Sequence, residues 1–346
     1  FDIPAGVPRW AWLQSKVQHF RYRVLEWAAA NQNPDGQFGG GWNDDNDMLA
    51  SKLDMFLDGS RLAHDVRNRM YAGFDATGYI EDGYCRITPM DRLHADDLLH
   101  DRFRDLLYYP GDPAIFRRAL RTAWRWDKPQ ETPLNWGTGR CFLYDKGMIE
   151  WYWGKSRPDS AFALSDTAKV TDRLARLASF CDDLAFHQFT EARVYTDAQN
   201  IYDEGLITSM ITGGSADSTV SAEWPEGGGE DMARWVTRAD SASFQCRMFS
   251  FDTLQRKVTV RLFRIVPGTY EVKLAEDIGG LPGRVLYTGD TTLRRFGTVS
   301  LLVPPGRPVL LSVRLVNPEP VKGLNPDLAI AGYDCIRGKA SLWVRV

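Results

Sequence analysis

The apolar residues of this 346-residue chain change period once, near residue 244, and no other feature constrains the fold as tightly. Upstream, from residue 12 to about 211, they recur at helical spacing. Leu13, Val17, Phe20, Val24 and Trp27 step by four, three, four and three, which marks one buried helix face. Asp112-Pro113 joins an N-cap to a proline at the first helical position, and Phe116, Ala119, Leu120, Ala123 and Trp124 continue that face. Val170, Leu174, Leu177, Cys181 and Leu184 make a third stripe. Weaker patterns place helices at about 47–58, 61–73, 95–108, 141–153 and 199–211. Eight one-sided helices in series predict helical hairpins packed side by side.

Downstream the period is two. Lys257 to Phe263, Thr269 to Leu274 and Val309 to Leu315 alternate, with turn signals at Pro267-Gly268, Leu281-Pro282-Gly283 and Pro304-Pro305-Gly306. Short strands in this number predict a small antiparallel sandwich. The expected class is therefore α+β and multidomain: a helical domain over 1–213, a connecting loop over 214–244, a β-sandwich over 245–316, and a Pro-rich linker with the first strands of a further β domain over 317–346.

Charge follows the same division. The formal net charge is −3, but residues 1–255 hold 28 Lys and Arg against 38 Asp and Glu, whereas 256–315 hold 10 against 4. The basic side chains are expected on outward-facing strand positions. An acidic major segment without a long Lys/Arg run argues against nucleic acid, whose binding draws on phosphate neutralisation. No run reaches the roughly 18 apolar residues of a membrane-spanning helix, so no membrane insertion is expected. Cys85, Cys141, Cys181, Cys246 and Cys335 lie far apart and form no metal-binding or redox motif. The chain opens at Phe1 and stops inside a strand-like run, as a piece of a longer, exported protein would. Its 12 Trp exceed ordinary usage and suit a surface for flat amphipathic partners, of which sugars are the commonest.

Four loops place aromatic side chains beside acids or amides. The first, Asn33 to Asp47, holds three consecutive glycines followed by Trp42, Asn43, Asp44 and Asp45. A helix cap there would need one acid, and several are present. The glycines lack the lysine of a phosphate loop, and the acids lack the glycine and distant glutamate of a calcium loop. The second loop carries Tyr79, Glu81, Asp82 and Tyr84; the third, Trp136 and Arg140; the fourth, Glu223, Trp224 and Glu226. A sugar ring stacks on Trp or Tyr, and its hydroxyls bond to carboxylates and amides. Cleaving a glycosidic bond takes one protonated carboxyl and one carboxylate. The candidate catalytic residues are thus Asp44, Asp45, Glu81, Asp82, Glu223 and Glu226. Candidate substrate-binding residues are Trp42, Asn43, Tyr79, Tyr84, Trp136, Arg140 and Trp224, with no metal and no cofactor required.

A helical-hairpin segment with glycine-rich acidic loops, followed by a small sandwich, resembles the six-hairpin (α/α)-toroid enzymes that act on glycans, over roughly residues 10–316. The resemblance implies a toroid and a poly- or oligosaccharide substrate, cleaved either by hydrolysis or by lyase chemistry. Eight helices are fewer than six hairpins hold, so it also implies hairpins upstream of Phe1 or an incomplete toroid. The segments Pro326 to Ile330 and Lys339 to Val346 resemble the opening strands of bacterial cell-adhesion-related domains. Three functions follow. A glycoside hydrolase would use a carboxylate pair. A polysaccharide lyase would use Tyr79, Tyr84, His64 or His94 as base with Asn43 or Arg140 to neutralise a uronate. A glycan-binding or adhesion module would need only the aromatics. The location expected for each is secreted, periplasmic or cell-surface.

Overall fold

The computed structural model describes residues 2–38, 58–78, 80–81, 84–85, 105, 109, 112–115, 167–185, 221–319, 330–334 and 341–344. The chain divides into two compact units, one of Phe1–Trp27, Met55–Leu62 and Asp159–Glu319, the other of Ala28–Asp54, Ala63–Pro158 and Pro320–Val346.

In the first unit the period-two segment forms two sheets. The strands are β3 (Ala222–Glu226), β4 (Met232–Ala239), β5 (Ser243–Ser250), β6 (Arg256–Leu262), β7 (Gly268–Ile278), β8 (Leu281–Leu293), β9 (Thr298–Val303) and β10 (Val309–Pro318). One sheet runs β4-β5-β10-β7-β8 and the other β3-β6-β9, with every pairing antiparallel. Alternate residues of both sheets meet in one core that includes Trp224, Met232, Phe244, Cys246, Val260, Tyr270, Leu274, Leu301 and Leu311. The Cys246 thiol lies in that core and is pushed up by burial, so it packs as a small apolar group.

Strands β4 and β5 are buried on both faces. Their second face lies under helix α1 (Arg9–Asn31), whose Leu13, Val17 and Phe20 are buried as the stripe predicts. Trp10 meets Trp235 edge to face at 5.7 Å, and Arg247 lies over both rings, 5.5 and 4.9 Å from their centroids. Its charge is matched by Asp277, 2.7 Å from Arg247 Nε. Strand β4 is also a sheet edge, and the outward N–H and carbonyl of its Arg234 are closed by a side chain. The Gln14 amide donates to the Arg234 carbonyl at 2.7 Å and accepts from the Arg234 N–H at 2.6 Å, standing in for a neighbouring strand.

The helical toroid is overturned by this architecture. More of the described residues lie in antiparallel strands than in helices; the helices among them are α1, α2 (Arg61–Ala76) and α3 (Thr167–Ala185), and they form no toroid. An apolar stripe shows that one helix face is covered without showing by what. For α1 the cover is a β-sheet, reached through Trp10 and Gln14.

Two local expectations also shift. Residues 214–244, read as a connecting loop, contain β3, β4 and the start of β5. The segment from Leu281 to Gly283 opens β8, and the turn before it is Gly279-Gly280, both at positive φ.

In the second unit, Asp112 caps a helical turn as its sequence predicts, accepting from the Ala114 and Ile115 N–H groups at 2.7 and 3.2 Å. The Gln32 amide donates to the carbonyls of Gly36 and Val66. Gly36, at φ 99, lies where a Cβ would strike the Arg69 carbonyl. Arg67 and Asp105 form a buried ion pair beneath the Tyr71 ring. Short hairpins pair β1 (Ile80–Glu81) with β2 (Tyr84–Cys85) and β11 (Ile330–Asp334) with β12 (Ser341–Val344). No described helix is long and apolar enough to cross a membrane.

Gln14→Ala leaves a buried N–H and a buried carbonyl of Arg234 unpaired, at about 1–3 kcal/mol each. A loss of about 2–4 kcal/mol in the urea unfolding free energy is expected. A loss under about 0.5 kcal/mol would show that the edge needs no such closure.

Candidate functional site

Of the sequence-predicted residues, Trp42, Asn43, Asp44, Asp45, Tyr79, Asp82, Trp136 and Arg140 lie outside the described residues, as does His94. Glu81 and Tyr84 are register partners across the β1–β2 hairpin. His64, on α2, stacks edge-on against Tyr109 at 5.8 Å, a packed position in the second unit. Glu223, Trp224 and Glu226 all lie on β3.

The alternation of β3 sends Trp224 one way and Glu223 the other. Trp224 is fully buried in the sandwich core, where the Arg234 guanidinium lies over its ring at 5.4 Å, so its face is not presented to a ligand. Glu223 stands opposite Arg261 on β6. Strict alternation would turn Glu226 inward with Trp224, but a bulge intervenes: three steps on β3, from Glu223 to Glu226, span only two on β6, from Arg261 to Thr259. Both carboxylates therefore share the outer face of the three-stranded sheet. Pro225 sits inside the bulge, where the ladder is already interrupted.

Their surroundings differ. Glu223 is 5% exposed and ion-paired with Arg261. Burial pushes its carboxyl up to about 7, and Arg261 opposes that rise without cancelling it. Its Oε2 takes the Arg261 bond, and Oε1 has no partner among the described residues. Glu226 is exposed; hydrogen bonds from Lys257 and Thr259 hold it below the usual carboxylate range. Lys257 Nζ lies 2.9 Å from Oε2, and the Thr259 hydroxyl donates to Oε2 at 2.9 Å. With its proton so committed, Thr259 accepts from the Ser300 hydroxyl at 2.8 Å. One face thus holds a carboxyl half protonated near neutral pH, a carboxylate ionised there, and two cations. The remaining basic side chains of the sandwich are largely paired as well, Arg314 with Glu271 and both Arg284 and Arg307 with Glu276.

The sequence contains a signal for the partners of these acids. Lys257, Thr259 and Arg261 alternate, which puts all three on one face once β6 is assigned. A second polar group carries no such signal. Asp58 receives a hydrogen bond from the Tyr22 hydroxyl at 3.1 Å and lies 3.9 Å from the buried Arg234 guanidinium. The Glu230 carboxyl nearby is raised, first by burial, with Asp231, Glu26 and Asp58 adding and His19 opposing. These side chains come from α1, the β3–β4 turn, β4 and residue 58, a gathering made by tertiary structure alone. Gly228 permits it, since a Cβ there would fall within 2.7 Å of Trp224 Cβ and the Asp58 carbonyl. Among the described residues no cluster of three or more His, Cys, Asp or Glu is arranged to hold a metal ion.

No protein-family model matches the chain, and no curated protein matches it. Among solved structures, the chain is similar to a glycoside hydrolase family 44 endoglucanase produced by Clostridium acetobutylium, at 9% identity and a TM-score of 0.18. The match covers 76% of this chain and 51% of that one, so the chain spans about half the length of the structure it matches. A TM-score of 0.18 is too low to show a shared fold.

Because the Glu223 pKa in the fold lies above its ordinary 4.5, the native chain holds a proton that the unfolded chain has lost between about pH 4.5 and 7. The resulting stabilisation is complete below the unfolded value and is lost as pH rises through about 7, on the order of 3 kcal/mol in all. Glu223→Gln removes this dependence. Between pH 4.5 and 8 the unfolding free energy of the parent should fall relative to that of the variant; parallel pH profiles would show that Glu223 titrates normally.

Proposed function

We propose that this protein cleaves glycosidic bonds in a poly- or oligosaccharide, with Glu223 as general acid and Glu226 as its ionised partner. The observation that carries the reading is the opposite displacement of the two pKa values on one sheet face. Environments that push two neighbouring carboxyls apart assign them acid and base roles, which is what hydrolysis of an acetal needs. The proton is on Glu223, whose Oε1 is unengaged among the described residues. Glu226 is ionised and fixed by Lys257 and Thr259. Two steps along β6 separate their opposing residues, roughly 7 Å of strand.

Each group would contribute about 10²–10⁴ in rate. With neutral and uronate-containing polysaccharides, reducing ends should appear without the ultraviolet absorbance of unsaturated uronate, and kcat/KM should decline above about pH 7 as Glu223 loses its proton. Glu223→Gln and Glu226→Gln should each lower kcat by about 10²-fold or more, with KM within a few-fold. Absorbance rising with reducing ends would make the chemistry β-elimination. Parent-level kcat in both variants would remove these residues from the reaction.

A further inference from the structure

The sandwich is closed on one side and open on the other. Beneath α1, the β4 edge is sealed by Gln14, whereas β8 and β9, the last strands of their sheets, leave a cleft of about 460 Å³ between them. That size lies within the range of small-molecule sites. Its floor is apolar, formed by core residues such as Leu274, and its walls carry Tyr287 and Leu302, which are 50% and 53% exposed. Both side chains present apolar surface to the cleft.

Tyr287 is laid along its own strand. A Cβ on Gly289 would come within 2.7 Å of the phenolic oxygen and 3.2 Å of Cζ, so the ring lies over Gly289, where a larger residue would displace it. Polar groups border the apolar wall. Gln255, Ser300 and Arg307 line the same cleft. Arg307 and Arg284 share the single carboxylate of Glu276, which leaves guanidinium donors in excess at that end.

We propose that this cleft binds a pyranose ring of a glycan chain, with Tyr287 as the stacking platform and Ser300, Gln255 and Arg307 as hydroxyl partners. A flat ring bordered by amide, hydroxyl and guanidinium matches the two surfaces of a sugar, one apolar and one lined with hydroxyls. The cleft is also continuous with the proposed catalytic face. Ser300 lines it and donates to Thr259, which in turn donates to Glu226. The assignment rests on the proposed function for its role as a substrate subsite, and on the cleft's own geometry for binding.

The test is calorimetric titration of the full chain with a β-glucan hexasaccharide and, separately, with an oligogalacturonate of similar length, which distinguishes a neutral from an anionic glycan. At least one should bind. Tyr287→Ala should weaken that binding about tenfold or more with an unchanged thermal midpoint, and Tyr287→Phe should keep it within twofold. Glu223→Gln should bind within threefold of the parent even where cleavage is lost. If Tyr287→Ala binds as the parent does, or the parent binds neither sugar, the cleft is not a glycan site, whatever becomes of Glu223. If Tyr287→Ala instead dissolves a dimer seen by sedimentation, the cleft is an interface between copies and the proposal is overturned. Cleavage surviving in Glu223→Gln while Tyr287→Ala loses binding would remove the catalytic assignment and leave the subsite standing.

Discussion

Strand β4 is the element on which the first unit depends, because it lies at a sheet edge and is nevertheless buried on both faces. An edge strand in that position must satisfy its outward N–H and carbonyl groups without water and without another strand. Gln14 meets the requirement with one amide that donates and accepts at once. Once that contact is made, α1 is fixed on the sheet, Trp10 and Trp235 enclose Arg247, and Asp277 balances its charge. The same helix then carries Tyr22 to Asp58, which accompanies Arg234 at the far face of the strand.

The outer sheet carries a different kind of organisation. Its core-facing side is apolar, and its outward side gathers Glu223, Glu226, Lys257, Thr259, Arg261 and Ser300. A single β-bulge brings the two acids onto one face; without it Glu226 would be directed toward the core. Their shared face and unequal burial have opposite effects on protonation. The buried member retains its proton to near neutral pH, and the exposed one is ionised and held by its neighbours.

Much of the sandwich was legible because a strand with one buried face repeats every two residues whatever covers it. The expected runs from Lys257, Thr269 and Val309 correspond to β6, β7 and β10. Strands β3 and β4 were not legible. Their sequence, Ala222 to Ala239, is interrupted by Pro225 and three glycines, which read as a loop when they carry the chain from the three-stranded sheet to the edge of the five-stranded one. Strand β4, buried on both faces, also loses the alternation that would identify it. The helical stripe of α1 was legible and its partner was not, since a stripe is the same against a helix or a sheet. Within the site, the choice of Glu223 and Glu226 needed only the clustering of acids and an aromatic. The inward burial of Trp224, the shared face of the acids and the gathering of Tyr22, Asp58 and Arg234 depend on the bulge and on contacts across more than a hundred residues.

Burial on the outer face of the three-stranded sheet keeps the Glu223 carboxyl partly protonated near neutral pH while Glu226, on the same face, is ionised. Carbon-13 NMR titration of side-chain carboxyls in glutamate-labelled protein, with the two resonances assigned by Glu223→Gln and Glu226→Gln, tests it directly. The midpoint expected for Glu223 is near 7 and that for Glu226 lies below the ordinary glutamate value of 4.5. Two midpoints together near 4.5 would contradict it, reducing both residues to ordinary cross-strand ion pairs with Arg261 and Lys257.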